Sequence, residues 1–321
     1  MPKQQTARRP ALSQRQWIAA RWRNVHQQRL KKKPLRPTIL AHAYSNRHVK
    51  CYPMVPIDNS RLKLAGLSHA GNKRDHNEDN IGIDAALGLA VLADGMGGYQ
   101  GGQFASALAV KVVIEEVRVR YACAAKELAP GAPDDWYRSV LRAAFEKANG
   151  IIHHVARRKP QWSSMGTTLI AVLFHDARVT IAHVGDSRLY RVRSNELQRI
   201  TADHSLLQEL VDEGFCAPED LRRSLNKNLI TRAVGIAPSV QPDIKQEPVI
   251  PQDLYLLCSD GLTDLVEDHE IQLTLSEHCC ELRKAAVSLI RLANDRGGHD
   301  NISVILARCP QTASGGVFQK P

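Results

Sequence analysis

Several acidic residues of this sequence stand at the ends of apolar, strand-like runs, where a carboxylate is held in a fixed position. In the clearest case, residues 89–93 lead directly into Asp94, which is followed by the glycine turn that begins at Gly95. The acids that share this setting are Glu78, Asp79, Asp94, Asp260 and Asp300. Hard divalent cations such as Mg²⁺ and Mn²⁺ take oxygen ligands and are held by a few carboxylates. We therefore interpret these acids as one oxygen-ligand metal centre.

A centre of this kind is suited to reactions at phosphorus. If two cations lie roughly 3.5–4 Å apart, a water that bridges them is hydroxide-like near neutral pH and is placed for in-line attack. The carbonyl of Gly95 is a further candidate ligand, because no side chain stands in its way. Arg74 is a candidate for binding phosphate oxygens, since a guanidinium forms bidentate pairs with them.

Each of these residues also has an ordinary structural interpretation. An Asp-Gly pair after a strand is most often only a turn, and a lone arginine is more often a solvated surface residue. Four histidines are further candidate ligands or acids, although a lone histidine is usually neither: His69, His76, His204 and His299. Cys258, close to Asp260, is expected to be a packed core thiol rather than a nucleophile. The functional interpretation depends on several acids that share one setting.

The net charge of +10 is confined to one end of the chain. Residues 1–53 contain 13 lysines and arginines and no acid, which leaves 30 basic against 33 acidic residues in the remaining chain. The globular part is therefore close to neutral, and its charge does not indicate nucleic-acid binding. At 321 residues and 43% hydrophobic content the chain can form a domain with a core, which excludes disorder throughout.

We expect residues 1–60 to form a basic, disordered extension with at most one short helix. Its first 53 residues could contact nucleic acid or an anionic lipid surface, or act as an Arg-rich organelle-targeting peptide. The interpretation that we favour is that they have no specific role, with Met54 as an alternative start just before the first strand.

The cysteine pattern and the apolar runs indicate a cytoplasmic location. The seven cysteines are an odd number and contain no Cys-x-x-Cys, which argues against a disulfide framework or a zinc ribbon and fits a reducing compartment. Uncharged apolar runs such as residues 169–174 are far shorter than the roughly 18 residues of a transmembrane helix. The N-terminus also lacks the apolar segment of a secretory signal.

Apolar spacing predicts long helices that are flanked by groups of strands joined by short turns. The predicted helices are residues 104–121, 135–158, 205–214, 218–225 and 276–295. The predicted strands are residues 62–67, 80–83, 88–93, 167–174, 178–184, 188–192, 254–259 and 302–306, with a proline-rich connection after residue 235. The second and third strands are expected to form a hairpin, which returns Glu78 and Asp79 to the side of Asp94.

This order of elements favours an α+β fold, in which antiparallel sheets are covered by helices, over a doubly wound parallel sheet. No internal repeat and no long linker divides residues 61–309. We therefore expect one domain over those residues, followed by a flexible tail at residues 310–321.

Six short motifs occur in order over about residues 62–308. They are Gly71-x-x-Arg74-x-x-Asn77-Glu78-Asp79, Asp94-Gly95-Met96-Gly97-Gly98, Met165-Gly166-Thr167-Thr168, Val184-Gly185-Asp186-Ser187-Arg188, Ser259-Asp260-Gly261-Leu262-x-Asp264 and Asp300-Asn301-Ile302-Ser303. Each motif alone is weak, but six in this order are highly specific. With them the chain resembles the metal-dependent protein phosphatases, the type 2C Ser/Thr phosphatases, and most of all their compact bacterial members.

The resemblance implies a four-layer α/β/β/α sandwich with the metals in a cleft at one end of the two sheets. It implies two Mn²⁺ or Mg²⁺ ions bridged by Asp94, and a third, weaker ion held in part by Asp186. The other ligands that it implies are Asp260 and Asp300 for the first ion, and the Gly95 carbonyl, Glu78 and Asp79 for the second. Arg74 would clamp the substrate phosphate, and residues 203–228 would form a flap beside the cleft.

The implied activity is hydrolysis of phosphoserine and phosphothreonine in proteins by attack of a metal-bridging water, opposed by a bacterial Ser/Thr kinase. Many eukaryotic members carry a general-acid histidine where this chain has Met96, which cannot donate a proton, and we hypothesise that water on the third metal takes this role. One alternative is a catalytically silent regulator that binds phosphoproteins, which is disfavoured because no expected metal ligand is missing. Another is a nucleic-acid-binding protein that acts through residues 1–53.

Overall fold

The computed structural model describes residues 50–51, 62–97, 100–124, 133–175, 177–214 and 229–309. Several of the expectations above lie outside these residues. They concern the remainder of the basic extension, the helix at 218–225 in the centre of the expected flap, and the tail at 310–321.

The described residues form thirteen strands, six α-helices and one short 3₁₀ helix at Pro160–Trp162. The strands are β1 Lys50–Cys51, β2 Lys63–His69, β3 Asn80–Asp84, β4 Leu89–Ala93, β5 Gly95–Met96, β6 Gly166–Thr167, β7 Leu169–His175, β8 Arg178–Val184, β9 Arg188–Arg193, β10 Glu196–Arg199, β11 Asp243–Pro248, β12 Leu254–Cys258 and β13 Ile302–Arg308. The helices are α1 Gly101–Ala124, α2 Asp134–Arg158, α3 Leu206–Asp212, α4 Asp260–Thr263, α5 Asp268–Glu277 and α6 Leu282–Asp295.

Two large sheets contain eleven of these strands. The first has the order β1-β2-β13-β12-β9-β10 and the second has the order β11-β8-β7-β4-β3, while β5 and β6 pair separately. All of the strand pairs are antiparallel, as predicted from the sequence. The predicted hairpin is β3–β4, in which Asn80 pairs with Ala93. It therefore returns the chain that follows Asp79 to the strand that precedes Asp94.

Three buried clusters show that the sheets and helices are stacked in four layers. The middle cluster fills the space between the sheets, with Ile170 of the second sheet and Tyr255 of the first among its members. A second cluster packs α1 and α2 against β4, β7 and β8, and a third packs α5 and α6 against β2, β12 and β13. The four-layer α/β/β/α arrangement is confirmed. All five residues of β4 are buried, because a helix layer covers one face of its sheet and the other sheet covers the opposite face.

The outer helices follow the expected amphipathic pattern. In α6 the buried residues recur at intervals of three and four: Leu282, Ala285, Ala286, Leu289, Ile290 and Ala293. This spacing places one apolar stripe against the first sheet. No helix in the described parts of the chain is long and apolar enough to cross a membrane.

Two predictions of secondary structure are wrong. The helix predicted at 276–295 runs across a break: residues 276–277 end α5, which begins at Asp268 and was not predicted, and α6 begins only at Leu282. The start of α5 is a capping box formed by Glu267 and Glu270. The stretch that was read as a proline-rich connection contains β11, which pairs along its length with β8. This strand lies at the edge of its sheet and four of its six residues are polar, so it lacks the apolar signal of a buried strand, and it ends at Pro248.

Candidate metal centre

The acids predicted to form the centre come from both sheets. Asp94 follows β4 of the second sheet, whereas Asp260 follows β12 and Asp300 precedes β13 of the first. Glu78 and Asp79 end the loop between β2 and β3. The pKa of Asp94 is raised well above its usual range, first by desolvation and then by the negative charges of four neighbours: Asp79, Asp260, Asp186 and Asp300. The structure therefore brings the predicted acids together at one end of the sandwich.

The backbone of Asp94 is held at both of its polar groups. Its N–H donates to Thr168 Oγ1 over 2.9 Å, and its carbonyl accepts from the Thr168 N–H and from Thr167 Oγ1, both over 2.8 Å. These two threonines lie at the junction of β6 and β7. These hydrogen bonds fix the end of β4 and therefore the position from which the Asp94 side chain extends.

Asp79 is the most buried acid of the cluster, with 1% of its surface exposed. One carboxylate oxygen, Oδ2, accepts from Ser259 Oγ over 2.8 Å, and its backbone N–H donates to Asn77 Oδ1 over 3.1 Å. Burial raises the pKa of Asp79 to about 6, and the charge of Asp300 adds to the shift. A carboxylate in this position is unstable as an anion unless a positive charge is brought to it.

Three buried carboxylate oxygens have no hydrogen-bond partner among the described residues: Asp79 Oδ1, Asp186 Oδ1 and Asp260 Oδ1. The pKa of Asp260 is also raised well above its usual range, first by desolvation and then by the charges of Asp186 and Asp264. Buried polar atoms without partners are rare and destabilising. Divalent cations with a preference for oxygen would satisfy these atoms and remove the repulsion, so the residues fit Mn²⁺ or Mg²⁺.

Asn301 holds the loop that carries Glu78. Its Oδ1 accepts from the Glu78 N–H over 2.7 Å, and its Nδ2 donates to the carbonyls of Ala70 and His76 over 3.0 and 2.9 Å. Gly71, with a φ of +76°, lies so close to the start of β13 that a Cβ there would be 2.1 Å from the Asp300 carbonyl. Asn301 stands in the last of the six motifs but was not among the predicted site residues, although a short amide beside a ligand is a signal for such a support.

Gly95 is required by a close approach of the backbone. A Cβ at this position would lie 2.2 Å from the carbonyl oxygen of Gly102 and 2.6 Å from that of Glu78. The Glu78 carbonyl also accepts a hydrogen bond from Ser106 Oγ. Gly95 and Glu78, for which the family resemblance implies the same cation, are therefore neighbours, and α1 contacts both of them.

Arg74 lies at the exposed side of the cluster. Its Nη2 donates to Asp300 Oδ2 over 2.7 Å, and 55% of its side chain is accessible to solvent. A guanidinium that is anchored on one edge keeps other N–H groups for an anion that arrives from solvent.

Asp186 stands in the turn between β8 and β9 and is buried. Burial raises its pKa to about 7, the charge of Asp203 adds to the shift, and Arg188 opposes it. Arg188 is itself bound by Asp203, with Nη2 to Oδ2 at 2.8 Å. The negative charge of Asp186 raises the pKa of Asp260 and of Asp94, which places Asp186 in the same cluster. Sequence reasoning missed Asp264, an acid that raises the pKa of both Asp186 and Asp260 from the end of α4, although it stood in a quoted motif.

A second cluster of possible metal ligands consists of His183, His204 and Asp243. It is the one group of three in the described chain whose ligand atoms all lie within 4.8 Å of one another. The acids of the first cluster are more widely spaced, as expected for like charges arranged around more than one hydrated cation. In the second cluster the Asp243 carboxylate is already paired, with Oδ1 2.8 Å from Arg232 Nη1 and Oδ2 3.3 Å from His204 Nε2. Its negative charge is therefore balanced by the protein.

The other candidate residues have structural positions. His69 Nδ1 accepts the Gly71 N–H over 2.9 Å, which closes the loop after β2. His76 and His299 are exposed. Cys258 is fully buried, and burial raises the pKa of its thiol to about 12, which confirms the expected core role.

Comparisons with known proteins agree with this geometry. A model of the family described as protein phosphatase 2C matches residues 65–286. The serine/threonine phosphatase stp of Listeria monocytogenes is 35% identical over 248 residues, which span 76% of this chain and 95% of that protein.

Two solved structures of the serine/threonine phosphatase PstP show the same fold. The Mycobacterium tuberculosis PstP structure has a TM-score of 0.68 at 35% identity and covers 78% of this chain and 100% of its own. A structure of the PstP catalytic domain in complex with two manganese ions has a TM-score of 0.66 at 35% identity and covers 78% of this chain and 99% of its own. This chain belongs to the protein phosphatase 2C family.

Proposed function

We propose that this protein is a metal-dependent phosphatase that removes phosphate from phosphoserine and phosphothreonine in proteins. One observation carries the proposal. Acids from both sheets form one cluster, some of their buried carboxylate oxygens have no hydrogen-bond partner among the described residues, and the exposed Arg74 is paired with Asp300 at the edge of the cluster. The relatives that are named serine/threonine phosphatases, and the manganese in one of their structures, support it.

The residues of this chain suggest a division of roles at the site. We assign the bridging position between two cations to Asp94, the first cation to Asp260 and Asp300, and the third, weaker cation to Asp186. The Gly95 carbonyl, Glu78 and Asp79 are assigned to the second cation. When bound, Mn²⁺ or Mg²⁺ supplies positive charge to the phosphoryl oxygens and makes water more acidic.

The protein itself contributes binding and orientation. Arg74 binds the phosphate, and its ion pair with Asp300 fixes the direction of the guanidinium. Thr167 and Thr168 hold Asp94, while Asn301 holds the loop with Glu78. Met96 pairs with Gly166 in the β5–β6 ladder and has no proton to donate, so protonation of the leaving alkoxide must come from another group.

The partners that follow from this function are phosphorylated proteins and, on the other side of the cycle, a Ser/Thr kinase. Five cysteines are free thiols, which supports the cytoplasmic location expected from the sequence: Cys123, Cys258, Cys279, Cys280 and Cys309. Cell fractionation tests that location. A contact of residues 1–53 with nucleic acid or an anionic surface stays a prediction, because these residues lie outside the described chain except for Lys50 and Cys51.

The function is tested by hydrolysis of a phosphothreonine peptide and of p-nitrophenyl phosphate with Mn²⁺, with Mg²⁺ and with EDTA. We expect turnover that requires a divalent cation and continues when residues 1–53 are deleted. If the folded, metal-loaded protein binds phosphopeptide without turnover, the catalytically silent regulator replaces the phosphatase.

A further inference from the structure

His204 is joined to Gly185, the residue before Asp186, by two hydrogen bonds. The Gly185 N–H donates to His204 Nδ1 over 3.1 Å, and the His204 N–H donates to the Gly185 carbonyl over 3.0 Å. Gly185 has a φ of +108°, and a Cβ there would lie 2.7 Å from Thr168. The turn that carries Asp186 is therefore pressed against Thr168 and held by His204, whose side chain is only 2% exposed.

The same histidine lies where both ends of the expected flap meet. Its carbonyl accepts from the Thr231 N–H over 2.8 Å, and the Leu206 N–H donates to the Leu229 carbonyl over 2.9 Å. An isolated β-bridge between Ser205 and Ile230 completes the junction. His204 thus connects the two described ends of this insertion with the turn that carries Asp186.

The tautomer of His204 follows from its contacts. Because Nδ1 accepts an N–H, the ring proton is on Nε2, which faces Asp243 Oδ2 at 3.3 Å. Arg232 binds the other oxygen of Asp243, and the ring of His183 stacks on that of His204 with centroids 4.6 Å apart. A cation at Nε2 would have to displace this proton and compete with Arg232. The cluster of His183, His204 and Asp243 is therefore suited to orient a ring rather than to hold a metal.

We propose that His204 is a positioning residue that fixes the Asp186 carboxylate for its divalent cation and ties the ends of the insertion to that carboxylate. The proposal rests on the proposed function, since Asp186 is given a cation there. The acceptor at Nδ1 is its essential atom. Nε2 makes no hydrogen bond among the described residues, but it lies 3.3 Å from Asp243 Oδ2, whose negative charge attracts the Nε2 proton.

Two substitutions separate the two ring nitrogens. His204→Asn keeps an acceptor near the position of Nδ1, whereas His204→Gln keeps a donor near the position of Nε2 and lacks the first acceptor. Mn²⁺ binding to the full chain is followed by titration calorimetry, with Asp186→Asn as the reference that identifies the weakest binding event. Supports of a metal ligand typically contribute about 10- to 100-fold to affinity. We expect His204→Gln to weaken that event to this extent and His204→Asn to restore most of it.

A matched control is available in His175. It is also buried, bonded to a side chain and stacked on an aromatic ring, with Nε2 2.8 Å from Thr180 Oγ1 and its ring 3.5 Å from that of Tyr137. It lies at the other end of β7 from the residues that pair with Val184. His175→Gln should lower the melting temperature and leave all Mn²⁺ binding events unchanged.

The second measurement uses Asp243→Ala, which leaves the ring of His204 in place without its orienting acid. We expect a loss of weak-site affinity in the same direction and smaller than that of His204→Gln. The proposal is overturned if His204→Gln binds Mn²⁺ as the unchanged chain does, if His204→Asn and His204→Gln lose the same affinity, or if Asp186→Asn loses no binding event. Because binding is measured without turnover, these outcomes are independent of whether the chain hydrolyses phosphopeptides.

Discussion

Two clusters of potential metal ligands in this protein differ in how their negative charge is balanced. The His183–His204–Asp243 cluster is the more compact, but Arg232 pairs with its single acid. In the larger acidic cluster Arg74 pairs with Asp300, and three buried carboxylate oxygens have no hydrogen-bond partner among the described residues. If the cations bind at the acidic cluster as we propose, compact ligand geometry alone is a poor guide to a cation site. What distinguishes the acidic cluster is uncompensated negative charge in a buried position.

Of the substitutions in the two clusters, Asp94→Asn should have the largest effect on phosphopeptide turnover. Cation binding contributes several kcal/mol to catalysis of this type, so we expect phosphopeptide turnover to fall by about 1,000-fold. The melting temperature in EDTA should rise, because a repelled carboxylate is replaced by a neutral amide. Turnover within a factor of about ten of the unchanged chain would contradict the assignment of Asp94.

Arg74→Ala should have the next largest effect. A charge-assisted bond to phosphate is worth about 1.5–3 kcal/mol, so kcat/KM for a phosphopeptide should fall by about 10- to 100-fold. Arg74→Lys should recover part of the loss, since an ammonium keeps the charge and loses the bidentate geometry. Mn²⁺ affinity measured by calorimetry should change little. If Mn²⁺ affinity fell as much as kcat/KM, Arg74 would act through Asp300 rather than on the substrate.

Asp186→Asn gives a test that depends on pH. The pKa of Asp186 is raised to about 7 in the folded protein, so the folded chain keeps a proton that the unfolded chain loses near pH 4. The fold is therefore destabilised progressively as the pH rises from about 4 to 7, and the full cost remains above pH 7. In EDTA at pH 8 the variant should be more stable, by on the order of 1–3 kcal/mol. This advantage should shrink as the pH falls to 6, and with Mn²⁺ at pH 8 it should reverse. Denaturant unfolding at each pH measures the difference, to which the buried histidines contribute equally in both proteins.

Asp243→Ala should have the smallest effect. Its pair with Arg232 is almost half exposed, and exposed pairs contribute about 0–1 kcal/mol to stability. At saturating Mn²⁺ the number of ions bound per chain should equal that of the unchanged protein. Loss of a strongly bound ion on this substitution would show that the His183–His204–Asp243 cluster is a metal site, contrary to our assignment.

The sequence was sufficient to predict the acidic cluster because each acid follows or precedes a buried strand. The β3–β4 hairpin and the antiparallel sheets supplied the geometry, and both follow from short-range patterns. The residues that hold the acids in position were harder to predict from the sequence. Asn301 and His204 act through backbone groups of residues that are distant in sequence, so the local sequence does not show which groups they bind.

The edge strand and the break between helices were missed for a related reason. The strand β11 is mostly polar, and its partner β8 is about 65 residues earlier in the chain, so only the completed sheet explains it. The turn between α5 and α6, residues 278–281, contains no glycine or proline, so nothing in the sequence marks the break between the two helices. The capping box of α5 depends on two glutamates that also suit a helix interior.

The most direct test of the account is the position of Mn²⁺ in crystals grown with that ion, located by anomalous scattering. The account predicts peaks among Asp79, Asp94, Asp260 and Asp300, with a weaker peak at Asp186, and no peak between His183, His204 and Asp243. A peak at the histidine cluster, or none among the aspartates, would contradict it.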